Sequence, residues 1–259
     1  MDFWERLSQN SLYLDETDKT LEMNHSQVEQ FYLPLAEQCM AGLADQRRLL
    51  LGVAGPPGCG KSAFAALLSA VINAQAGQNL ACVVGMDGWH YPNSYLDSHT
   101  IQHRRKRISL RSIKGAPETF DIQAMLSCLS AIREGGEVRY PVYSRRLHEP
   151  IPEGGLVRAT HRIVIVEGNY LFLDETPWNA LRPLFDLRIS LRASLEDIQA
   201  GLMERHLRGG KPPDLAARQV RQVDLPNAQR VLSGSVPGTI VVHKLNSRLI
   251  SSIEWSKSQ

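Results

Sequence analysis

The sequence predicts an α/β fold, doubly wound about a mainly parallel sheet, and three observations carry that expectation. The stretch Gly55-Pro56-Pro57-Gly58-Cys59-Gly60-Lys61-Ser62 completes the pattern G-x-x-x-x-G-K-[ST]. It follows the apolar run Leu49-Leu50-Leu51-Gly52-Val53-Ala54 and precedes a helical stretch of small and apolar residues from Ser62 to Ile72. Strand, glycine loop and helix in that order are the setting in which the pattern acts as a phosphate-binding loop, so the fold expected is that of the P-loop NTPases. Short apolar runs then keep alternating with helical patterns to the end of the chain, as in βα units around a parallel sheet.

The loop's chemistry follows from its composition. Glycines let successive backbone N–H groups turn inward at a helix N-terminus, where the dipole and the unpaired donors favour an anion. The nucleotide-binding residues expected are Gly55, Pro56, Pro57, Gly58, Cys59, Gly60, Lys61, Ser62 and Ala63. Lys61 adds a cation and Ser62 a ligand for Mg²⁺, while Cys59 occupies a free position of the pattern and offers its backbone N–H.

Composition sets the outer limits. A chain of 259 residues with 43% apolar residues can build a full core, and it reads as one domain over 1–259. Lysine and arginine number 29 against 27 acidic residues, a net charge of +2 that gives no argument for nucleic acid or membrane binding. Cys39, Cys59, Cys82 and Cys128 lie far apart without a C-x-x-C pair, which suits free thiols in a reducing compartment. The N-terminus lacks the basic flank and apolar core of a signal peptide, and the chain is expected to be cytoplasmic. The partner expected is a small-molecule acceptor, with a homodimer left open.

In chain order, residues 1–25 read as a polar extension of weak periodicity. Val28, Phe31, Tyr32, Leu35, Ala36, Met40 and Leu43 recur at helical spacing, so a leading helix is expected over 26–44, capped near Asn24. After the loop and its helix, Leu80 to Met86 reads as a buried strand ending on Asp87. In a parallel sheet ligands bind beyond the carboxyl ends of the strands, which turns that aspartate toward the phosphates. The run His103-Arg104-Arg105-Lys106-Arg107 is expected in helix or loop. Such a run is ordinarily a solvated face; the functional reading is an electrostatic guide for an anionic ligand.

Thr119 or Asp121 is placed to cap a helix over Ile122–Ile132, closed by Gly135-Gly136. Val138 to Ser144 alternates as an edge strand that tolerates Pro141, within a small β insertion over 136–162. Ile163-Val164-Ile165-Val166 reads as a central parallel strand ending in Glu167, a carboxylate that can hold Mg²⁺ opposite Ser62. Phe185 to Leu191 is a further strand, and Ser194 caps a helix to about Leu207. Gly209-Gly210-Lys211-Pro212-Pro213 punctuates two helices, as in a mobile helical lid over 205–225. A returning helix from Asp214 to Val223 is expected to stop at Pro226-Asn227, before a last strand, Thr239 to His243.

These motifs together carry a resemblance. The loop at 55–62, Asp87-Gly88-Trp89-His90, Gly115-Ala116-Pro117-Glu118-Thr119-Phe120-Asp121, Pro141-Val142-Tyr143-Ser144 with His148, Val166-Glu167-Gly168 and the arginines before the lid resemble the phosphoribulokinase, uridine kinase and pantothenate kinase family, in the same order, over residues 45–245. Within it the chain is most similar to bacterial nucleoside/nucleotide kinase-like proteins of unassigned substrate.

The resemblance implies ATP-dependent phosphorylation of a hydroxyl on a small metabolite, with Mg²⁺. It implies that Asp87 is the general base, that His90, Tyr143 and His148 line the acceptor pocket, and that Arg205 and Arg208 close on the transferring phosphate beside Lys61. Two departures bear on the acceptor. Gly115 stands where uridine kinases place an aspartate for ribose hydroxyls, which argues against a ribonucleoside, and Asp87-Gly88-Trp89 with Tyr91-Pro92-Asn93 looks more like the pantothenate kinase version.

Other classes fare less well. A GTP-hydrolysing switch needs N-K-x-D, which the chain lacks, and a remodelling ATPase usually ends its second acidic strand in Asp-Glu, where here Glu167 meets Gly168-Asn169. A nucleotide sensor that kept the loop and lost the chemistry is the alternative that stays open.

Overall fold

The computed structural model describes residues 2–9, 24–43, 48–103 and 106–256. Its centre is a six-stranded sheet in the order β10-β9-β8-β1-β7-β2. The strands are β1 (Leu49–Ala54), β2 (Ala81–Gly85), β7 (Ile163–Gly168), β8 (Leu187–Arg192), β9 (Ile240–Lys244) and β10 (Ile250–Trp255). All neighbours are parallel except β9 and β10. β1 lies between β7 and β8, with Leu51 opposite Ile165 on one side and Leu187 on the other.

All six residues of β1 are buried because helices cover both faces of the sheet. Leu49, Leu51 and Val53 join Ile163 and Ile165 in the core under α3 (Leu33–Ala41) and α4 (Lys61–Ala76). Leu50, Ala54, Val164 and Val166 enter the opposite core, with Met125, Leu129 and Ile132 of α6 (Ile122–Glu134). This alternation of near-continuous apolar strands between two helical layers is the doubly wound α/β fold that the sequence predicts. Each such side chain contributes about 1.5–3 kcal/mol by leaving water.

Several local expectations give way. The N-terminal stretch is no featureless extension: α1 (Phe3–Gln9) docks on the helical layer, with Leu7 fully buried, Arg6 donating to the Ala74 carbonyl at 2.6 Å and Trp4 stacked on His25 at 4.2 Å. Its periodicity is weak because Leu7 is its one fully buried side chain; residues 10–23 lie outside the described residues. His103, Lys106 and Arg107 of the basic run belong to a hairpin of β3 (Thr100–His103) and β4 (Lys106–Ser109), not to helix or loop. Thr100, Ile101 and Ile108 supply the β-branched residues that favour it; Arg104 and Arg105 lie outside the described residues.

Val138–Ser144 (β5) is, as expected, a strand of a small β insertion: among the described residues it pairs with β6 (Glu149–Val157) in a two-stranded ribbon apart from the main sheet. The helix that returns after Gly209–Pro213 runs past its proline. α8 (Pro213–Gln219) passes through a π turn, Val220–Asp224, into α9 (Leu225–Gly234). The leading helix repeats the device, α2 (His25–Gln27) passing through the π turn Val28–Tyr32 into α3, with Pro34 at its second position. The wider turn relieves the clash of the proline ring with the preceding carbonyls, so the helix axis continues. β10 was not foreseen, because Ile250-Ser251-Ser252-Ile253 carries few apolar residues.

At the end of the sheet away from the loop, Arg48 is 4% exposed and, among the described residues, its guanidinium binds carbonyls. It donates to His161 at 2.8 Å, Ile132 at 2.6 Å, and Gly136 and Arg158 at 2.9 Å each, joining α6, the ribbon and the start of β7. Arg48→Met leaves these acceptors unsatisfied in the interior and is expected to cost about 3–5 kcal/mol. Chemical denaturation measures it, and a loss under about 1 kcal/mol would contradict the account.

Candidate active site

The functional side chains gather at the carboxyl ends of the parallel strands. α4 begins at Lys61, and its N-cap Gly60 has φ of 84° and no side chain to satisfy the first-turn amides. A Cβ at Gly60 would stand 1.9 Å from the Ser247 carbonyl oxygen, so glycine is required by contact as well as by conformation. Unpaired amides at a helix N-terminus favour an anion, with the helix dipole behind them. Lys61 is 7% exposed and its Nζ donates to the Pro56 carbonyl at 2.9 Å, curled over its own loop.

Ser62 Oγ donates to Glu167 Oε1 at 3.0 Å. In the sheet Glu167 sits between Val53 and Gly85, which places its carboxylate beside the loop. Burial raises its pKa, opposed chiefly by Lys61. Hydroxyl and carboxylate oxygens are hard donors of the kind Mg²⁺ takes with water and phosphate oxygens, so this pair fits that ion. No group of three or more His, Cys, Asp or Glu able to hold a metal occurs among the described residues.

Asp87 follows β2 in the short turn Met86–Trp89. Its carboxylate makes no hydrogen bond or ion pair among the described residues, while its charge is felt by Glu167, His90, Lys114, Tyr143 and Arg205. His90 pins the turn from behind: its Nδ1 lies 2.9 Å from the Asp87 carbonyl oxygen, which can only accept, so Nδ1 carries the proton. The ring is 9% exposed, between Phe120 at 3.9 Å and Tyr143 at 5.1 Å, and burial lowers its pKa.

The β5–β6 ribbon closes over this turn. A Cβ at Gly88 would stand 1.9 Å from the Pro141 carbonyl oxygen, so glycine permits the contact that brings Tyr143 to Asp87. Burial raises the Tyr143 hydroxyl to about 12, so it stays a neutral donor. His148 has φ of 53° at the ribbon's turn and an exposed side chain, and its carbonyl accepts from Lys114 Nζ at 2.8 Å and Asn93 Nδ2 at 3.1 Å.

Lys114 and Asn93 were not singled out from the sequence. Lys114 Nζ also donates to Asn93 Oδ1 at 2.7 Å and lies 5.1 Å from the Tyr143 ring centroid. Their signal was present, since Asn93 ends Tyr91-Pro92-Asn93 and Lys114 precedes Gly115-Ala116-Pro117. The latter loop is tied by Thr119 Oγ1 to the Ala116 carbonyl at 2.7 Å and by the Tyr170 hydroxyl to that of Gly115 at 2.6 Å; Asp121 caps α6.

Arg205 and Arg208 end α7 (Leu195–Arg208), whose N-cap is Ser194. Arg205 pairs with Asp224 at 3.6 Å, and His206 reaches the other oxygen of that carboxylate at 2.6 Å. Arg205 thereby shares a field with Asp87, whereas Arg208 pairs with Glu204 of its own helix. All four cysteines are free thiols, and no helix among the described residues is long and apolar enough to cross a membrane.

The sequence model of the phosphoribulokinase/uridine kinase family matches residues 50–202. The uncharacterized protein YggC of Escherichia coli is 32% identical over 222 residues, 84% of this chain and 88% of that protein. A pantothenate kinase of Mycobacterium is 30% identical over 203 residues, 70% of this chain and 62% of the relative. Among solved structures, a protein of Silicibacter provisionally named a fructose transport system kinase shares 32% identity with a TM-score of 0.71, covering 81% of this chain and 97% of that one.

Proposed function

Because this chain belongs to the phosphoribulokinase/uridine kinase family, we propose that it transfers the γ-phosphoryl group of ATP to an alcohol hydroxyl of a small metabolite. The observation that carries the reading is the Asp87 carboxylate, held at a strand end beside the phosphate-binding loop with no hydrogen bond or ion pair among the described residues. A base kept free of hydrogen bonds and ion pairs is available to an incoming hydroxyl.

The loop amides and Lys61 hold the phosphates, and Asp87 orients the acceptor and takes its proton as the phosphoryl group moves in line. Ser62 and Glu167 would hold Mg²⁺, which supplies charge neutralisation for the phosphate oxygens. Arg205 stabilises the charge spreading over the transferring group once the lid closes and excludes water. His90, Tyr143 and the ribbon turn at His148 shape the acceptor side, joined by Lys114.

The acceptor class includes sugars, pantothenate-like alcohols and nucleosides, with ribonucleosides disfavoured by Gly115. A thermal-shift screen of nucleosides, sugars, sugar phosphates and vitamins, each with a non-hydrolysable ATP analogue, tests this reading. One class is expected to raise Tm only when the analogue is present; shifts that ignore the analogue would contradict a shared site.

A further inference from the structure

We infer that Lys244 is a second cation of the nucleotide site, a buried ammonium set behind the phosphate-binding loop and left without a counter-ion until a polyphosphate binds. The inference rests on the reading above only in taking the loop's ligand to be a nucleoside polyphosphate; it does not need transfer to occur.

Lys244 is the last residue of β9, opposite Ile250 of β10 and one step beyond the pairing of Arg192 with His243. It is 5% exposed, and among the described residues its ammonium makes no hydrogen bond and no ion pair, the nitrogen keeping only an edge of solvent contact. A buried ammonium in that condition is unfavourable, and proteins ordinarily meet it with a carboxylate. Here the group that faces it is Cys59 of the loop. The Cys59 thiol is buried and pushed up by that burial, so it is neutral and no counter-ion.

The other ionisable groups nearby are engaged elsewhere. His243 pairs with Glu254 at 3.0 Å, and Arg248 with Glu204 at 3.8 Å. Lys61 and Lys244 both act on Cys59, as does the Glu167 carboxylate, which accepts from Ser62 and is not felt at Lys244. The turn after β9 closes the arrangement by placing the Ser247 carbonyl against Gly60. The end of β9 and its turn are thus built onto the loop at positions 59–60, where the amides converge.

An isolated positive charge behind an anion-binding loop costs stability in the free protein and strengthens attraction for the anion. Burial lowers the Lys244 ammonium to about 8. A bound polyphosphate favours the charged form and raises that value. Affinity is therefore greatest below about pH 8 and falls as pH rises toward the bound value, and between the two values binding takes up protons.

The test is calorimetric titration of the protein with ATP and Mg²⁺ at pH 8.5, in buffers of different ionisation enthalpy, on wild type, Lys244→Met and Lys244→Arg. Wild type is expected to take up about half a proton or more. Lys244→Met should bind about tenfold more weakly, take up none, and melt higher than wild type when free, because an unpaired buried charge has gone. Lys244→Arg should retain affinity without uptake, since guanidinium does not titrate in this range.

Wild-type affinity and uptake in Lys244→Met would overturn the inference. So would a Met variant that loses stability along with affinity and an Arg variant that restores neither, the result of a purely structural lysine. ATP bound with proton uptake but transferred to no acceptor would sink the kinase reading and leave Lys244 in place; transfer without uptake would do the reverse.

Discussion

Asp87→Asn is expected to abolish acceptor-dependent ADP release, by about 10²–10⁴-fold, the range for losing a positioned general base. ATP affinity should stay within about twofold. The substitution is close to isosteric, and among the described residues the Asp87 carboxylate makes no hydrogen bond or ion pair that the fold would lose. The turn is held instead by its backbone, through His90 and the Gly88 contact with Pro141. Tm should therefore not move. Steady-state kinetics with a coupled ADP assay decides it, and normal turnover in the variant would remove Asp87 from the base role.

Lys61→Ala is expected to weaken polyphosphate binding and lower transfer by about 10²–10³-fold, as when one preorganised donor is removed from a developing anion. The lysine is 7% exposed and its ammonium's one hydrogen bond among the described residues is to the Pro56 carbonyl, within its own loop. Its loss thus falls on the ligand more than on the fold. Adenosine affinity should change little while ATP affinity falls, a contrast that separates phosphate binding from general damage. Full activity in this variant would take the loop out of the mechanism.

What was legible in the sequence is what local pattern dictates. Leu49–Ala54 and Ile163–Val166 declare central strands because both faces are covered, and Asn24, Asp121 and Ser194 declare helix starts through caps that the structure shows bonded. The pairing of Ser62 with Glu167, 105 residues apart, could be anticipated because both stand where adjacent parallel strands end.

Features that local pattern does not encode escaped. Pro226 signals a helix end unless a π turn precedes it, and the pattern of a π turn is not distinct from that of an α-helix. The hairpin at 100–109 was hidden by charges that suit a solvated strand as well as a helix. Lys114 and Asn93 meet at the His148 carbonyl, and a backbone acceptor leaves no trace in residue type. Lys244 looks like any charged residue closing a strand, because its burial depends on Cys59, far away in sequence.

The central claim is that the loop presents a γ-phosphoryl group to an alcohol oriented by Asp87. Following the label from γ-labelled ATP, with each acceptor that raises Tm in the presence of the analogue, tests it most directly. The account predicts label in a phosphorylated acceptor, equimolar with ADP and absent with Asp87→Asn. Label found solely as inorganic phosphate, or left on ATP with every acceptor, would contradict it.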